Sequence, residues 1–439
     1  MLQDDAPYYI VNLVQRQKIS FEHARYSTFF IQWIPFCFLK AGAGLESITR
    51  SYSLAFGIYY LSLFLIAVYV LNNLKGALLL ILFLCISAGR DFFLPVGEYQ
   101  PAMITTTILF GVNLKAGSQK WINNFIVIIF LLVLITNFHL IGVMAATLII
   151  TWNFFRDDKS SRKYWLYLFF ILLAIALVRS LLTPRDDYES DKLGAIYKLP
   201  FYLTHPRKLS SLLIVIKFFT NHFPQVLIAF GISILLLLWQ KRIFGVLLLL
   251  GLECVLLPIL GIVHGINIEF VLSGSYFLLM IIPMLIPIIN FMFSGKRLIF
   301  LSTGIVVSIT LCVFNLAREH KHFKKKTDYF SALIEKGRAL PEHRYIIDND
   351  SLPAFIGNHW PLPFQTLILS SLHGPESSVT YISGETTDSY DSFLNNPGNF
   401  LGPAWWPGMF NYPETKLPER FFNLPNKGYR KLSTIQSGF

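Results

Sequence analysis

The chain has 439 residues, of which 54% are hydrophobic and only 14% are charged, and its mean hydropathy is +0.53. Soluble domains carry charge at about a quarter of their positions, so this composition excludes a soluble globular protein and indicates an integral membrane protein. The net charge of +11 does not indicate a nucleic-acid partner, because Lys and Arg lie largely in short connections between apolar runs. The four cysteines are Cys37, Cys85, Cys254 and Cys312. Their wide spacing predicts neither a metal site nor a disulfide framework.

The N-terminal stretch holds two adjacent carboxylates followed by clustered cations. Asp4 and Asp5 precede an apolar run at 8–13, which predicts a short helix lying on the membrane surface. His23 and Arg25 follow a polar connection. Residues 27–39 are about 13 long, short of the roughly 20 that a span needs, and predict an interfacial helix.

Apolar runs then follow one another through most of the chain and predict about ten transmembrane helices. They lie near 50–71, 76–93, 99–114, 122–137, 140–155, 164–182, 225–240, 243–262, 272–292 and 297–316. Alternate short loops lie on the same side of the membrane, and one such set contains nearly all the basic residues of the short loops. This set of loops is therefore expected in the cytoplasm. Asp4, Asp5, Glu98, His139 and the long loop 183–224 are therefore expected on the outer side. The basic segment 318–326 argues for a cytoplasmic C-terminal tail, but the several concordant loops favour an outer one.

From Ala317 onward hydropathy falls, and Pro, Asn, Gly and Ser become more frequent. This change predicts a soluble domain over 317–439, with a helix at 327–340 and short strands at 344–347 and 379–382. The predicted fold class is an all-α polytopic membrane protein with juxtamembrane helices and a small C-terminal α/β soluble domain. Its predicted parts are a first outer loop at 1–49, the transmembrane domain at 50–316 and the soluble domain.

The charged residues of the N-terminal stretch are the first candidates for a functional site. Asp4 and Asp5 are candidates for a general base, because partial desolvation and a neighbouring carboxylate both increase the basicity of a carboxylate. Alternatively, one of these two aspartates caps the N-terminus of the helix that follows. His23 and Arg25 are candidates for binding a phosphate, with contact to anionic lipid headgroups as the alternative. Arg50, at the start of a predicted span, is a further candidate cation that could instead snorkel to the interface.

Later outer loops add a second group of candidates. Glu98 precedes a predicted span and is the next candidate carboxylate, with an exposed loop glutamate as the alternative. His139 lies in a tight outer turn, where it faces the same cavity or solvent. Arg179 lies near the outer end of a span, where snorkelling is favoured over a phosphate contact. Glu253 lies inside an apolar run and has no evident partner in the sequence.

The layout of the first 316 residues resembles that of GT-C superfamily glycosyltransferases, most specifically over 4–50. It is similar to the protein O-mannosyltransferase and lipid A aminoarabinose transferase branches, whose first outer loop holds an acidic pair and two juxtamembrane helices. Asp4 and Asp5 match the acidic pair, and Glu98 resembles the acidic residue of the second loop. His23 or Arg25 matches a basic residue that precedes a proline in the family, although this chain lacks that proline.

The resemblance implies a membrane enzyme that transfers a sugar from a polyprenyl-phosphate donor to an outer lipid, glycan or protein acceptor in the cell envelope. Inversion by single displacement is expected, with Asp4 or Asp5 as the base, and Glu98 is expected to assist. The cations expected to bind the donor phosphate are His23, Arg25, Arg50 and His139. No cofactor is required, although Asp4, Asp5 and Glu98 are the candidate oxygen ligands for Mg²⁺ or Mn²⁺. The expected location is a bacterial inner membrane, with the active site facing the periplasm or exterior.

Two other functions remain open, and one feature departs from the family. A transporter or flippase of lipid-linked glycans would also have many spans, but it should carry charges within spans and show internal repeats. A polymerase of envelope glycans, or a noncatalytic relative, is the third hypothesis. The family has a first transmembrane helix before the acidic loop, whereas Met1 stands three residues before Asp4. We therefore expect either a truncated start or the loss of that helix.

Overall fold

The computed structural model describes most of the helical part of the chain and part of the C-terminal region. The described residues are 5–21, 24–91, 99–114, 121–156, 159–182, 199–204, 219–220, 223–263, 278–293, 298–356, 360–384, 417–425 and 428–432. Within these ranges the protein is mostly helical and has one small sheet. The predicted outer loop 183–224 lies largely outside the described residues.

The helices follow one another along the chain up to the C-terminal region. They are α1 (Asp5–Arg16), α2 (Phe29–Lys40), α3 (Leu45–Leu65), α4 (Leu74–Asp91), α5 (Tyr99–Thr107), α6 (Trp121–Phe138), α7 (Leu140–Arg156), α8 (Lys159–Leu182), α9 (Leu199–Thr204), α10 (Pro224–Trp239), α11 (Ile243–Val263), α12 (Leu278–Met292) and α13 (Leu298–Arg338). A 3₁₀ turn, Tyr26–Thr28, precedes α2, and a π-helical turn, Ile66–Val70, extends α3.

Among the described residues, three helices are long and apolar enough to cross a membrane: Leu45–Val70, Trp121–Phe138 and Ser161–Leu182. Their outer faces carry large exposed apolar side chains, such as Leu61 on α3 and Leu177 on α8. Such contiguous apolar faces suit contact with lipid rather than water. These helices therefore indicate a membrane protein with transmembrane helices, and the number of about ten spans stays a prediction.

The run near 99–114 does not form one long helix. Its helical part, α5, has 9 residues, which gives a length of about 14 Å against a hydrocarbon thickness of about 30 Å. Every residue of α5 is buried within the protein. Apolar residues fit such a buried half-helix as well as they fit a span, so hydropathy alone could not separate the two.

The chain that leaves α5 is held by two asparagine side chains. Asn73 Nδ2 donates to the carbonyl oxygens of Ile108, at 2.9 Å, and Phe110, at 2.7 Å. Asn153 Nδ2 donates to the carbonyl of Leu109 at 3.1 Å. Buried backbone outside a helix requires such partners, because apolar side chains cannot hydrogen-bond it. The two amides therefore permit the chain to turn inside the protein.

The C-terminal region is joined to the helical part by one continuous helix. The predicted helix at 327–340 is the end of α13, which runs without interruption for 41 residues from Leu298 to Arg338. Strands β1 (Arg344–Asp348), β2 (Thr380–Gly384) and β3 (Arg430–Lys431) follow, with α14 (Leu362–Ser371) between the first two. The sheet order is β2–β1–β3, and both pairs are parallel. The two predicted strands are confirmed, and β3 was missed because it has only two residues.

Helix α1 is not a surface helix within the described structure. Its residues from Ala6 to Val14 are all buried, and α1 packs against α14 of the C-terminal region. The ring of Tyr8 contacts those of Phe364 and Trp360, with centroids 5.4 and 6.0 Å apart. The partner that covers α1 lies more than three hundred residues away in the sequence, so the sequence did not indicate this burial, and the position of α1 at the membrane surface stays a prediction.

Candidate functional site

The structure describes part of the predicted site. Asp4, His23 and Glu98 lie outside the described residues, and two of these, Asp4 and Glu98, belong to the three acids proposed for a divalent metal. Asp5 is the first residue of α1.

Arg25 lies in the connection between α1 and α2, which is closed by side-chain hydrogen bonds. The Gln32 amide donates to Ser20 O at 2.7 Å and accepts from Ser20 N–H at 3.2 Å. Thr28 donates its N–H and its hydroxyl to Arg25 O, at 3.0 and 2.7 Å. The neighbouring Ala24 has φ of 51°, a left-handed conformation that turns the chain. These bonds fix the backbone of Arg25.

The side chain of Arg25 is buried, with 7% of the residue exposed. Guanidinium groups are rarely buried, because removing their charge from water costs free energy unless an anion or hydrogen-bond acceptor compensates. The adjacent 3₁₀ turn, Tyr26–Thr28, contacts α6. Arg25 therefore brings a positive charge from the N-terminal stretch to the side of a candidate transmembrane helix.

His139 follows directly after α6 and is fixed by its neighbours. Its Nδ1 accepts a hydrogen bond from Ile141 N–H at 3.1 Å, so the neutral imidazole carries its proton on Nε2. Its ring lies edge-on to that of Tyr99, with centroids 6.3 Å apart. Tyr99 is the first residue of α5 and the next residue after Glu98. The structure therefore brings His139 to the N-terminus of the buried half-helix.

Arg179 is a second buried cation at the same end of α6. Its Nη1 donates to Thr136 O at 2.6 Å, and 7% of the residue is exposed. A cation beside the carbonyl groups of a helix C-terminus is electrostatically favourable. The preferred interpretation from the sequence, a side chain that snorkels to the interface, does not describe this inward-facing contact. Sequence position alone does not reveal which way a residue near a helix end points.

Tyrosine hydroxyls from α3 hold α5 in place. Tyr59 Oη and Thr105 Oγ1 are 2.6 Å apart, and Tyr60 Oη donates to Gln100 Oε1 at 3.2 Å. Both bonds link residues more than 35 positions apart, so no local sequence pattern indicated them. The bond to Gln100 holds the first turn of α5, the end that presents unsatisfied backbone N–H groups to an anion, and the bond to Thr105 holds its last turn.

Arg50 is placed differently from the other predicted cations. Its Nη2 lies 2.5 Å from Glu46 Oε1 within the first turns of α3, and 79% of its side chain is exposed. A Glu–Arg pair with this spacing is a common helix-surface interaction of modest energy. Nothing in its described surroundings links Arg50 to α5 or α6.

No group of three or more His, Cys, Asp and Glu side chains that could hold a metal occurs among the described residues. The described part of the site therefore consists of Arg179 and His139 at the end of α6, the start of α5 beside His139, and Arg25 next to a turn that contacts α6. Chemically, such a set can bind an anionic group.

Comparison with known proteins found no matching family model, no matching curated protein and no matching solved structure. The described structure is mostly helical with a small sheet in its C-terminal region, and its three long apolar helices indicate a membrane protein. The resemblance to GT-C glycosyltransferases remains a prediction from the residues of the N-terminal stretch and Glu98.

Proposed function

We propose that this protein is a membrane glycosyltransferase that takes a sugar from a polyprenyl-phosphate donor and transfers it to an outer acceptor of the cell envelope. The observation that carries the proposal is the burial of two guanidinium groups: Arg25, whose adjacent turn contacts α6, and Arg179, which donates to a carbonyl at the end of α6. Buried cations at the edge of an apolar helical region suit a ligand with a phosphate head and a hydrocarbon tail.

Each part of the donor has a matching chemical feature. The exposed apolar faces of α3 and α8 suit the lipid tail, and the guanidinium and imidazole groups suit the phosphate. The start of α5, beside His139, adds a helix N-terminus, which favours negative charge. Because negative charge on the phosphate increases as the sugar leaves, these groups would stabilise the transition state more than the ground state.

The acidic pair supplies the proposed base. Asp4 or Asp5 removes the proton from the acceptor hydroxyl, and the acceptor oxygen displaces the lipid phosphate at the sugar carbon with inversion. Glu98, directly before α5, is the second carboxylate proposed for this site, and a divalent metal held by these acids is a further proposal. The acceptor class is an envelope lipid, glycan or protein.

A measurement of donor binding in Arg25 variants tests the proposal. The purified protein is titrated with a short-chain polyprenyl-phosphate sugar, and Arg25→Ala is compared with Arg25→Lys. We expect Arg25→Ala to weaken binding by about tenfold to a hundredfold, the range for losing a charged hydrogen bond, and Arg25→Lys to weaken it less.

Arg50→Ala is the matched control, because it removes an equal charge from an exposed position on α3. It should bind the donor as the parent protein does. Thermal unfolding of each variant separates a lost contact from a lost fold. Equal donor affinity in the parent protein and both Arg25 variants would remove Arg25 from the site. Movement of unmodified lipid-linked glycan across a vesicle membrane, without sugar transfer, would favour the transporter hypothesis instead.

A further inference from the structure

One face of helix α13 changes from apolar to basic along its length. Six residues at spacings of three and four lie in a narrow stripe of this face: Val307, Leu311, Phe314, Arg318, Lys321 and Lys325. The first three expose 50%, 38% and 66% of their surface, and Lys321 and Lys325 are exposed as well. The stripe therefore presents large apolar side chains and then cations, with about 10 Å along the helix axis between Phe314 and Lys321.

The cations of the stripe belong to a basic band of five residues: Arg318, Lys321, Lys324, Lys325 and Lys326. Two acids lie within 318–328, Glu319 and Asp328, and Glu319 is 3.3 Å from the Arg318 guanidinium. Lys324 is exposed, and Lys325 Nζ lies 4.4 Å from the ring centroid of Phe355 while remaining exposed. The basic band therefore presents a net positive charge at the surface, next to exposed apolar side chains of the same helix.

We propose that the basic band binds the phosphate groups of anionic bilayer lipids such as phosphatidylglycerol, while the apolar part of the stripe contacts their acyl chains. Lysines close to a membrane surface attract anionic headgroups, and their flexible stems let the ammonium group reach the phosphate. A soluble acidic protein or a nucleic acid would match the cations but would leave the exposed apolar side chains of the same face in water. A lipid matches both parts of the stripe.

Lipid binding at the basic band would position the C-terminal region. Helix α13 continues without interruption from Lys321 to Tyr329, which belongs to the hydrophobic core of that region. These eight residues give a rise of about 12 Å. Helix α14 of the same region packs against α1. Headgroup contact at the band would therefore hold the partner of α1 at a set height above the lipid phosphates.

The lipid selectivity of the full chain tests the proposal. Purified protein in micelles is titrated with phosphatidylglycerol or with phosphatidylcholine of identical acyl chains, and bound lipid is measured by native mass spectrometry. Each lysine near the headgroups should contribute about fivefold in affinity, so the triple variant Lys321→Gln, Lys324→Gln, Lys325→Gln should bind phosphatidylglycerol on the order of a hundredfold more weakly. The parent's preference for phosphatidylglycerol should also decrease between about 0.05 and 0.5 M ammonium acetate, because salt screens exposed charges.

Two control variants make the result specific. Replacing the same three lysines by arginine keeps the charge and should keep the preference, and Lys336→Gln, which removes an exposed cation at the far end of α13, should leave it unchanged. Equal affinity of the parent protein for the two lipids, or an undiminished preference in the triple Gln variant, would overturn the proposal. Displacement of phosphatidylglycerol by polyglutamate at equal charge concentration would identify an acidic protein as the partner instead. No sugar donor is present, so the result does not depend on the proposed glycosyl transfer.

Discussion

Replacing Asn73 by alanine should strongly destabilise the helical domain, because this one amide makes three buried hydrogen bonds to backbone. Its Nδ2 donates to Ile108 O and Phe110 O, and its Oδ1 accepts from Gly76 N–H at 3.0 Å. Only 2% of Asn73 is exposed, so water is not expected to replace the lost partners. At about 1 kcal/mol for each bond, the free energy of unfolding should fall by about 3 kcal/mol. The unpaired carbonyl groups can raise this loss further.

The assay is reversible unfolding of the purified protein in mixed micelles with increasing sodium dodecyl sulfate, followed by tryptophan fluorescence. Asn123→Ala is the matched control, because Asn123 is exposed on α6 and its loss should change the free energy of unfolding by less than about 0.5 kcal/mol. If Asn73→Ala unfolds at the same detergent fraction as Asn123→Ala, the buried half-helix and its asparagine partners are refuted.

Three further predictions concern packing, alkaline pH and the second buried cation. Gly76→Ala should destabilise the protein by about 1–3 kcal/mol in the same assay, because its Cβ would lie 2.4 Å from Asn73 Nδ2 and 3.0 Å from Ile108 Cα. Gly57→Ala, which meets nothing within 4 Å on α3, should be neutral or stabilising, and equal effects would contradict this packing. Burial raises the pKa of Tyr381, so its contribution to stability is complete below pH of about 10 and is lost at higher pH as the unfolded state ionises first. Between pH of about 10 and 12, the free energy of unfolding of Tyr381→Phe should therefore fall less than that of the parent protein. An equal fall in both proteins would refute this. Arg179→Ala should weaken donor binding more than Arg50→Ala does, and equal affinities would exclude Arg179 from the phosphate site.

The sequence predicted the helices well where hydrophobic length alone decides the outcome. The three long apolar helices, the interfacial-length helix α2 and the two longer strands were all expected from run length and residue type. These features depend on local patterns, which a single sequence contains. Arg25 was also selected from the sequence, and the structure buries it beside α6.

Features that depend on distant partners were not predictable. The length of α5 is set by Asn73, directly before α4, and by Asn153 on α7, and the burial of α1 is set by the C-terminal region. The inward contact of Arg179 needs a carbonyl from α6. In each case two segments far apart in the chain must first be placed side by side. Composition and periodicity carry no information about that placement.

The central claim is that the protein transfers a sugar with its N-terminal acidic pair as the base. The most direct measurement uses purified protein in vesicles that contain a polyprenyl-phosphate donor with a radiolabelled sugar, together with extracted envelope lipids and glycans as acceptors. We predict label transfer by the parent protein and by Asp328→Asn, which changes an exposed carboxylate of α13. The double variant Asp4→Asn with Asp5→Asn should fold and transfer no label. Transfer by the double variant at the parental rate would contradict the account.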